Sequence, residues 1–166
     1  MFTRRELVLS GAALALTGCA SSPQIPRYDG PEVTRVVVMK ANRRMYLMHH
    51  EKILEKYDVS LGFAPEGDKQ FEGDGRTPEG RYLIDRRNHR SQFHLSLGIS
   101  YPNTADVAAA QALGKKPGGD IFIHGQAGKH KGKPRDWTAG CISVTDREVE
   151  QVWSMVPNGT IIDIFP

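Results

Sequence analysis

A series of short strand-like segments, separated by turn-forming residues, is the feature that most constrains the fold of this chain. The segments span residues 33–40, 43–49, 53–61, 81–86 and 93–100, and each carries β-branched or aromatic side chains. Residues 41–42 and 50–52 stand where hairpin turns would join the first three segments, which predicts a meander. Residues 160–165 alternate like a last strand. The pattern predicts a mostly antiparallel sheet.

Two helices are predicted in the second half of the chain. Asn103 or Thr104 can cap an alanine-rich segment over 105–113, which Gly114 closes. A second helix begins with the capping box formed by Thr145 and Glu148, and apolar residues follow it at helical spacing. The predicted fold is therefore mostly β, a β-rich α+β sandwich or barrel with two attached helices.

The N-terminus has the pattern of an export signal. Arg4 and Arg5 precede an apolar stretch over residues 7–18, which is shorter than the about 20 residues that cross a bilayer. Residues 1–18 are predicted to be a signal peptide. The stretch ends in Leu-Thr-Gly-Cys19, which resembles the lipobox of bacterial lipoproteins and implies that Cys19 is lipidated. Cys19 as an incidental residue of a plain cleaved signal is the alternative.

The rest of the chain divides into a tether and one domain. Residues 19–31 are rich in Ser, Pro and Gly and predict a flexible tether, while residues 32–166 suffice for a single core. The lipobox implies an exported, periplasmic, lipid-anchored protein, and Ala20 favours the outer membrane. Export through the general or the twin-arginine route is open. The formal charge of +3 is too small to indicate a nucleic-acid partner.

Cys141 and His124 are the candidate chemical groups. Cys19 falls in the export segment, so Cys141 is left without a disulfide partner in the domain. A free thiol is mostly protonated at neutral pH and needs a base to become a nucleophile. His124, directly after the apolar run 121–123, is the candidate base.

The motifs around these two residues resemble the L,D-transpeptidase catalytic domain, also called the YkuD domain. The resemblance rests on Ile-Phe-Ile-His124-Gly125, on Thr138-Ala-Gly140-Cys141-Ile, and on the Thr-Pro-Glu-Gly-Arg-Tyr run over 77–82. It covers most of 33–165, and the Cys-Ile-Ser-Val-Thr form over 141–145 resembles a YafK-like sub-branch. It implies a β-sandwich with a groove, acting on peptidoglycan stem peptides.

The resemblance also implies residue roles. Cys141 would attack a tetrapeptide stem, release D-Ala and form a thioester, which an amine acceptor then takes over. His124 would be the general acid and base, with its other ring nitrogen held by the Gly125 backbone carbonyl. The N–H groups of Gly140 and Cys141 would stabilise the oxyanion.

Four further residues are candidates for contacts with the substrate: Thr138, His94, Tyr101 and Arg86. Two positions depart from the commoner family pattern, since Ala139 stands where many members have His or Asn and Ser143 where many have Arg. The family's contact at residue 143 is therefore not carried over. The segments 62–80 and 126–137 are long enough to be mobile lids over the substrate.

Two other functions remain open. The first is a thiol-dependent amidase or endopeptidase that hydrolyses cross-links or links between a protein and the wall. The second is a lipoprotein that binds peptidoglycan without catalysis. Six histidines are present, but their spacing matches no metal motif, so neither a metal nor another cofactor is expected.

Overall fold

The computed structural model describes residues 22–166, so the predicted signal peptide and the lipidation site Cys19 lie outside the described residues. The described part holds eight strands and two helices. In chain order they are β1 Arg35–Met39, β2 Arg44–His49, β3 Lys52–Asp58, β4 Gly80–Ser91, β5 His94–Ile99, α1 Thr104–Ala112, β6 Phe122–His124, β7 Ile142–Ser143, α2 Asp146–Met155 and β8 Ile161–Phe165. Both helices are far shorter than a membrane-spanning helix would be.

Strand β4 belongs to both halves of the sheet. Its first residues, 80–83, pair with β8, and its later residues pair with β5. The strand order is β3-β2-β1-β8-β4-β5-β6-β7. At the two edges, Ser60 beyond β3 and Ser143 in β7 exchange backbone hydrogen bonds of 2.9 and 2.8 Å, which join the ends of the sheet. The predicted mostly β fold with two helices is confirmed.

The details differ from the sequence prediction in four places. The first three strands form the predicted meander, but β3 ends at Asp58 and β4 continues to Ser91. Strand β7 was not predicted, because two residues are too few to show a period. The last strand, β8, lies between β1 and β4 and runs parallel to β1.

Helix α2 covers the sheet next to β5 and β6. Its N-cap is Thr145, whose hydroxyl accepts the Glu148 N–H at 3.3 Å, while the Glu148 carboxylate accepts the Thr145 N–H at 2.8 Å. Val149 and Val152 are fully buried on its inner face. Capping and amphipathic spacing therefore agree on one orientation of this helix.

Helix α1 begins at the Asn103 cap, the first of the two candidates. Its buried Asp106 closes a reciprocal capping box with Asn103 and also accepts the Tyr82 hydroxyl at 3.0 Å. Burial and the neighbouring Asp106 charge raise the pKa of Tyr82, so this phenol stays a hydrogen-bond donor. The polar pair attaches the helix to the core strand β4.

The described part of the predicted tether contacts the domain at two points. Residues 22–31 have no helix or strand and are mostly exposed. The Gln24 N–H donates to the Glu150 carboxylate of α2 at 2.7 Å, and Tyr28 packs against the core. These contacts bring the start of the described chain next to α2.

The long segment 62–80 is held to the domain by a buried lysine. Lys40, at the end of β1, is only 2% exposed. Its ammonium donates to the carbonyl oxygens of Gly67 and Thr77, at 2.6 and 2.8 Å, and to the Glu79 carboxylate at 2.8 Å. A buried ammonium has three donors, and all three are satisfied here.

Asp74 organises the middle of the same segment. It accepts the Lys69 ammonium at 2.8 Å and the backbone N–H groups of residues 70, 71 and 76. Burial alone would raise the pKa of Asp74, but these donors lower it overall. The extent of this bonding favours a fixed wall over a lid.

We expect Lys40→Met to destabilise the protein by about 3–5 kcal/mol, because it leaves the partly buried Glu79 carboxylate without its ammonium. The control is Lys56→Met, since Lys56 is exposed on β3 and should change stability by less than about 0.5 kcal/mol. Urea unfolding followed by circular dichroism measures both. Equal unfolding midpoints for the two variants would contradict the role given to Lys40.

Candidate active site

The parallel pairing of β6 and β7 brings the two candidate chemical groups to one place. Ile123 pairs with Ile142 and His124 with Ser143, so Cys141 enters β7 beside Phe122. Cys141 and His124 line the same open cavity of about 530 Å³. The other lining residues are Asn88, Ser91, Gln92, Phe93, Ser96, Asp120 and Phe122. The structure thus places the thiol and the imidazole on one accessible surface.

The His124 ring is fixed by its own loop and by aromatic neighbours. The side chain is 3% exposed, and Nδ1 lies 2.6 Å from the Gly125 carbonyl oxygen. Since a carbonyl only accepts, Nδ1 carries the proton and Nε2 is the nitrogen that can accept another. Phe93 stacks on the ring at 4.5 Å, and Trp137 meets its edge at 5.8 Å. Neither aromatic residue was predicted from the sequence.

Burial favours the neutral forms of both His124 and Cys141. It lowers the pKa of His124, against the opposing Gly125 hydrogen bond. Burial also raises the pKa of Cys141, although a hydrogen bond from the Phe122 backbone acts the other way. The thiol contacts the Asp120 carbonyl oxygen at 3.5 Å. The resting pair is therefore a neutral thiol and a neutral imidazole, and a base is needed to form the thiolate.

The turn before Cys141 is closed by the Thr138 hydroxyl. Thr138 is buried, and Oγ1 donates to the Cys141 carbonyl at 2.7 Å and accepts the Gly140 N–H at 3.1 Å. Its hydroxyl is used inside the turn, where it positions the backbone around Cys141, and the substrate contact of Thr138 stays a prediction. The Gly140 N–H donates to the Thr138 hydroxyl, and its role in stabilising an oxyanion stays a prediction.

Gly140 is nevertheless required by the backbone. Its φ of +132° lies where side chains are disfavoured, and a Cβ there would be 2.7 Å from the Arg76 carbonyl oxygen. Gly125 is similarly tight, since a Cβ would be 2.6 Å from Asp146 Oδ1. Both glycines allow close packing of backbone around the two chemical groups.

Two of the predicted substrate contacts lie away from the cavity. His94 has a φ of +78°, which breaks the alternation of β5, and its Nε2 lies 2.7 Å from Glu150 Oε1 of α2. Tyr101 is 5% exposed and donates to the Pro117 carbonyl oxygen at 2.9 Å. The polar atoms of both side chains have partners inside the fold, and the structure brings neither residue to the cavity of Cys141.

Arg86 is the predicted substrate contact that the structure brings near the thiol. Its guanidinium pairs with Asp120 at 3.2 Å and lies 4.5 Å from the Phe122 ring centre, and both partners line the cavity. Asp120 was missed from the sequence. Its place directly after two glycines and before the strand that carries His124 was the available signal.

Cys141 also borders a second cavity, of about 420 Å³. Asp120 is shared by the two cavities, and the second is lined by residues of the 62–80 segment and of the loop before β6. Lys69, Glu72, Gly73, Gly118, Gly119, Ile121 and Ala139 complete its lining. Cys141 therefore lines both cavities.

The 126–137 loop is attached at both ends by carboxylates. Asp146 accepts the N–H groups of Gln126 and Ala127 at 2.6 and 2.9 Å. Asp136 binds the Arg43 guanidinium and the Leu61 N–H. Between these ends lie the exposed cations Lys129, Lys131, Lys133 and Arg135.

Residues 22–166 contain no cluster of three His, Cys, Asp or Glu side chains suited to a metal ion.

Fold and site together define a cysteine–histidine domain of the L,D-transpeptidase type. The family model of the YkuD L,D-transpeptidase catalytic domain matches residues 33–164. The chain therefore belongs to this family.

The relatives found by comparison agree with this assignment. The chain is 24% identical over 112 residues to YafK of Escherichia coli (strain K12), whose name assigns it provisionally to the L,D-transpeptidases. This match covers 66% of the chain and 40% of YafK. A mutant of the helical cell shape determining protein Pgp2 from Campylobacter jejuni has 25% identity and a TM-score of 0.62, with 86% of this chain and 50% of that chain covered.

A more distant structure has the same fold. It is an L,D-transpeptidase from Xylanimonas cellulosilytica, with 15% identity, a TM-score of 0.51, and coverage of 84% of this chain and 64% of that one. The chain spans less than two thirds of each of these three proteins. The shared part is the catalytic domain.

The neutral thiol predicts a specific pH dependence of its alkylation. Because burial raises the pKa of Cys141, the rate of iodoacetamide labelling should rise with pH around a midpoint above that of a free cysteine peptide. Asp120→Asn should move this midpoint down, because the Asp120 charge raises the pKa of Cys141. Labelling followed by intact mass across a pH series measures both. Fast labelling that persists in acid would indicate a preformed thiolate and contradict this account.

Proposed function

We propose that this protein is a peptidoglycan L,D-transpeptidase in which Cys141 is the nucleophile and His124 the general acid and base. The observation that supports this most strongly is the common cavity of the two residues, with His124 Nδ1 held by Gly125. This geometry presents a proton acceptor, Nε2, on the surface that holds the thiol. Family membership supports the class of substrate.

The first half-reaction forms an acyl-enzyme on Cys141. His124 Nε2 takes the thiol proton while the sulfur bonds to the carbonyl carbon before the terminal D-Ala of a tetrapeptide stem. The carbon–nitrogen bond then breaks, and His124 returns the proton to the leaving D-Ala amine. Because burial lowers the pKa of His124, the imidazolium exists only during transfer. Nδ1 is held by the Gly125 carbonyl, and no acidic third residue takes part.

The second half-reaction transfers the acyl group to an acceptor. An acceptor amine attacks the thioester, gives its proton to His124 and releases the Cys141 thiol. The second cavity beside Cys141 supports this step, because it offers a place for an acceptor while the stem peptide occupies the first. The product is a cross-link, an exchanged D-amino acid or a protein attached to the wall.

Hydrolysis is the second candidate function. Cys141 is partly exposed, so water can reach a thioester formed on it. With water as the acceptor, the same residues would cleave stem-peptide bonds or links between a protein and the wall. Both versions share the acyl-enzyme and differ only in what attacks it.

The proposed location is the periplasm, with the protein held by lipid on Cys19 and facing the wall from the outer membrane. The lipobox and Ala20 support this proposal. The partners are peptidoglycan stem peptides and, where the acceptor is a polypeptide, a wall-linked protein.

Purified full-length protein in detergent, incubated with tetrapeptide muropeptides and a D-amino acid, tests the proposal. We expect a thioester adduct on Cys141 and exchanged or dimeric products by mass spectrometry, both lost in Cys141→Ala. His124→Ala should lower turnover by about 100- to 10,000-fold, because it removes the proton carrier. Water-added products would select hydrolysis.

His94→Gln is the matched histidine control, since His94 binds Glu150 outside the cavity. It should retain wild-type turnover. Turnover that survives in Cys141→Ala would defeat both thiol mechanisms. A total absence of products and of adduct in the wild type would leave the non-catalytic binding function in their place.

A further inference from the structure

The Arg86 guanidinium is oriented beside the cavity by contacts on three sides. Nη1 lies 3.0 and 2.9 Å from the two Asp85 carboxylate oxygens, and Nη2 lies 3.2 Å from Asp120 Oδ1. The plane rests over the Phe122 ring at 4.5 Å. The side chain of Arg86 is 41% exposed. The group is therefore both held and accessible.

The backbone provides the space for this guanidinium. The register of β4 against β5 shifts between Ile84 and Arg86, so Arg86 comes to lie opposite Gly98. A Cβ at Gly98 would be 2.4 Å from Arg86 Cγ and 2.6 Å from Asp85 Oδ1. The register shift, Gly98 and the Phe122 ring thus all favour one position of the Arg86 side chain. An arginine without a specific role on the surface would not need them.

Asp120 completes the arrangement at the mouth of the cavity. Its backbone has a φ of +54°, and its carbonyl oxygen contacts the Cys141 thiol at 3.5 Å. Its carboxylate points outward with 91% of its side chain exposed. A positive and a negative group therefore stand side by side at the wall of the cavity that holds the nucleophile.

We propose that Arg86 and Asp120 form a subsite for an α-amino-acid head group, with Arg86 binding its carboxylate and Asp120 its ammonium. This inference rests on the proposed function and specifies its substrate class. It makes Arg86 and Asp120 specificity-determining residues of the reaction.

The energetics favour this exchange of partners. An exposed ion pair contributes little stability, so the Arg86–Asp120 pair separates easily. A guanidinium binds a carboxylate through two parallel hydrogen bonds, and the Phe122 ring keeps the fork in the required plane. After the exchange Asp120 faces the ammonium of the head group, and Arg86 binds its carboxylate while Nη1 keeps its contact with Asp85. A head group with only one of the two charges would leave Arg86 or Asp120 with no new partner.

Two sources supply such a head group. One is the distal centre of diaminopimelate in the donor stem, which carries an ammonium and a carboxylate on one carbon. The other is a free amino acid that serves as the acceptor. Both present the same chemistry to Arg86 and Asp120, and separate titrations distinguish them.

Equilibrium binding to full-length Cys141→Ala protein in detergent tests the subsite without turnover. Calorimetry compares a tetrapeptide stem with its analogue amidated at the distal carboxylate, and a free D-amino acid with its amide. The charged ligand of the relevant source should bind more tightly. Adding Arg86→Met should lower the affinity for that ligand by about 10- to 100-fold and leave the affinity for its amidated analogue unchanged. Asp120→Asn should weaken the ammonium-bearing ligand relative to its N-acetylated form.

Arg81→Met is the matched control, because Arg81 lies on the same strand and forks onto Asp163 away from the cavity. It should leave the discrimination intact. Equal affinity for charged and amidated ligands, unchanged discrimination in Arg86→Met, or no measurable binding at millimolar concentration would each overturn the subsite. These outcomes are independent of the Cys141-dependent turnover that tests the proposed function itself.

Discussion

The short parallel ladder between β6 and β7 is the interaction on which the site depends. It is only two residue pairs long, and yet it sets His124 beside the turn that ends in Cys141. Such a ladder is too short to persist alone, so neighbouring contacts must support it. β5 pairs with β6 on one side, and the Ser60–Ser143 hydrogen bonds close β7 on the other. The placement of Cys141 is thus a property of the closed sheet.

Burial gives this arrangement its chemical character. The same dry surroundings that fix the imidazole also disfavour both charged forms, thiolate and imidazolium. The aromatic faces of Phe93 and Trp137 shield one partner, while the opening of the cavity leaves the sulfur accessible. The imidazole of His124 is thus fixed by packing, while the thiol of Cys141 stays accessible from the cavity.

The sequence predicted those parts of the molecule whose signals are local. Thr145 with Glu148 marked the start of α2, and the alternating strands β1 to β3 showed their own period. The Gly125 contact with His124 is also local, and the structure contains it.

What was not predicted depends on contacts between distant segments. Strand β7 exists only through its partners β6 and Ser60, and the position of Arg86 depends on Gly98 in another strand. The contact of His94 with Glu150 in α2 was not readable from the sequence, because it joins β5 to a distant helix through a residue with a positive φ. The sequence also did not show that the hydroxyls of Tyr101 and Thr138 donate to the carbonyl oxygens of Pro117 and Cys141. The contact between Gln24 and α2 has a geometric consequence for a lipid-anchored protein. If Cys19 carries the lipid, it lies five residues before Gln24, so the chain between them spans at most about 18 Å. With so short a reach, the domain would work in the layer of wall nearest the membrane surface.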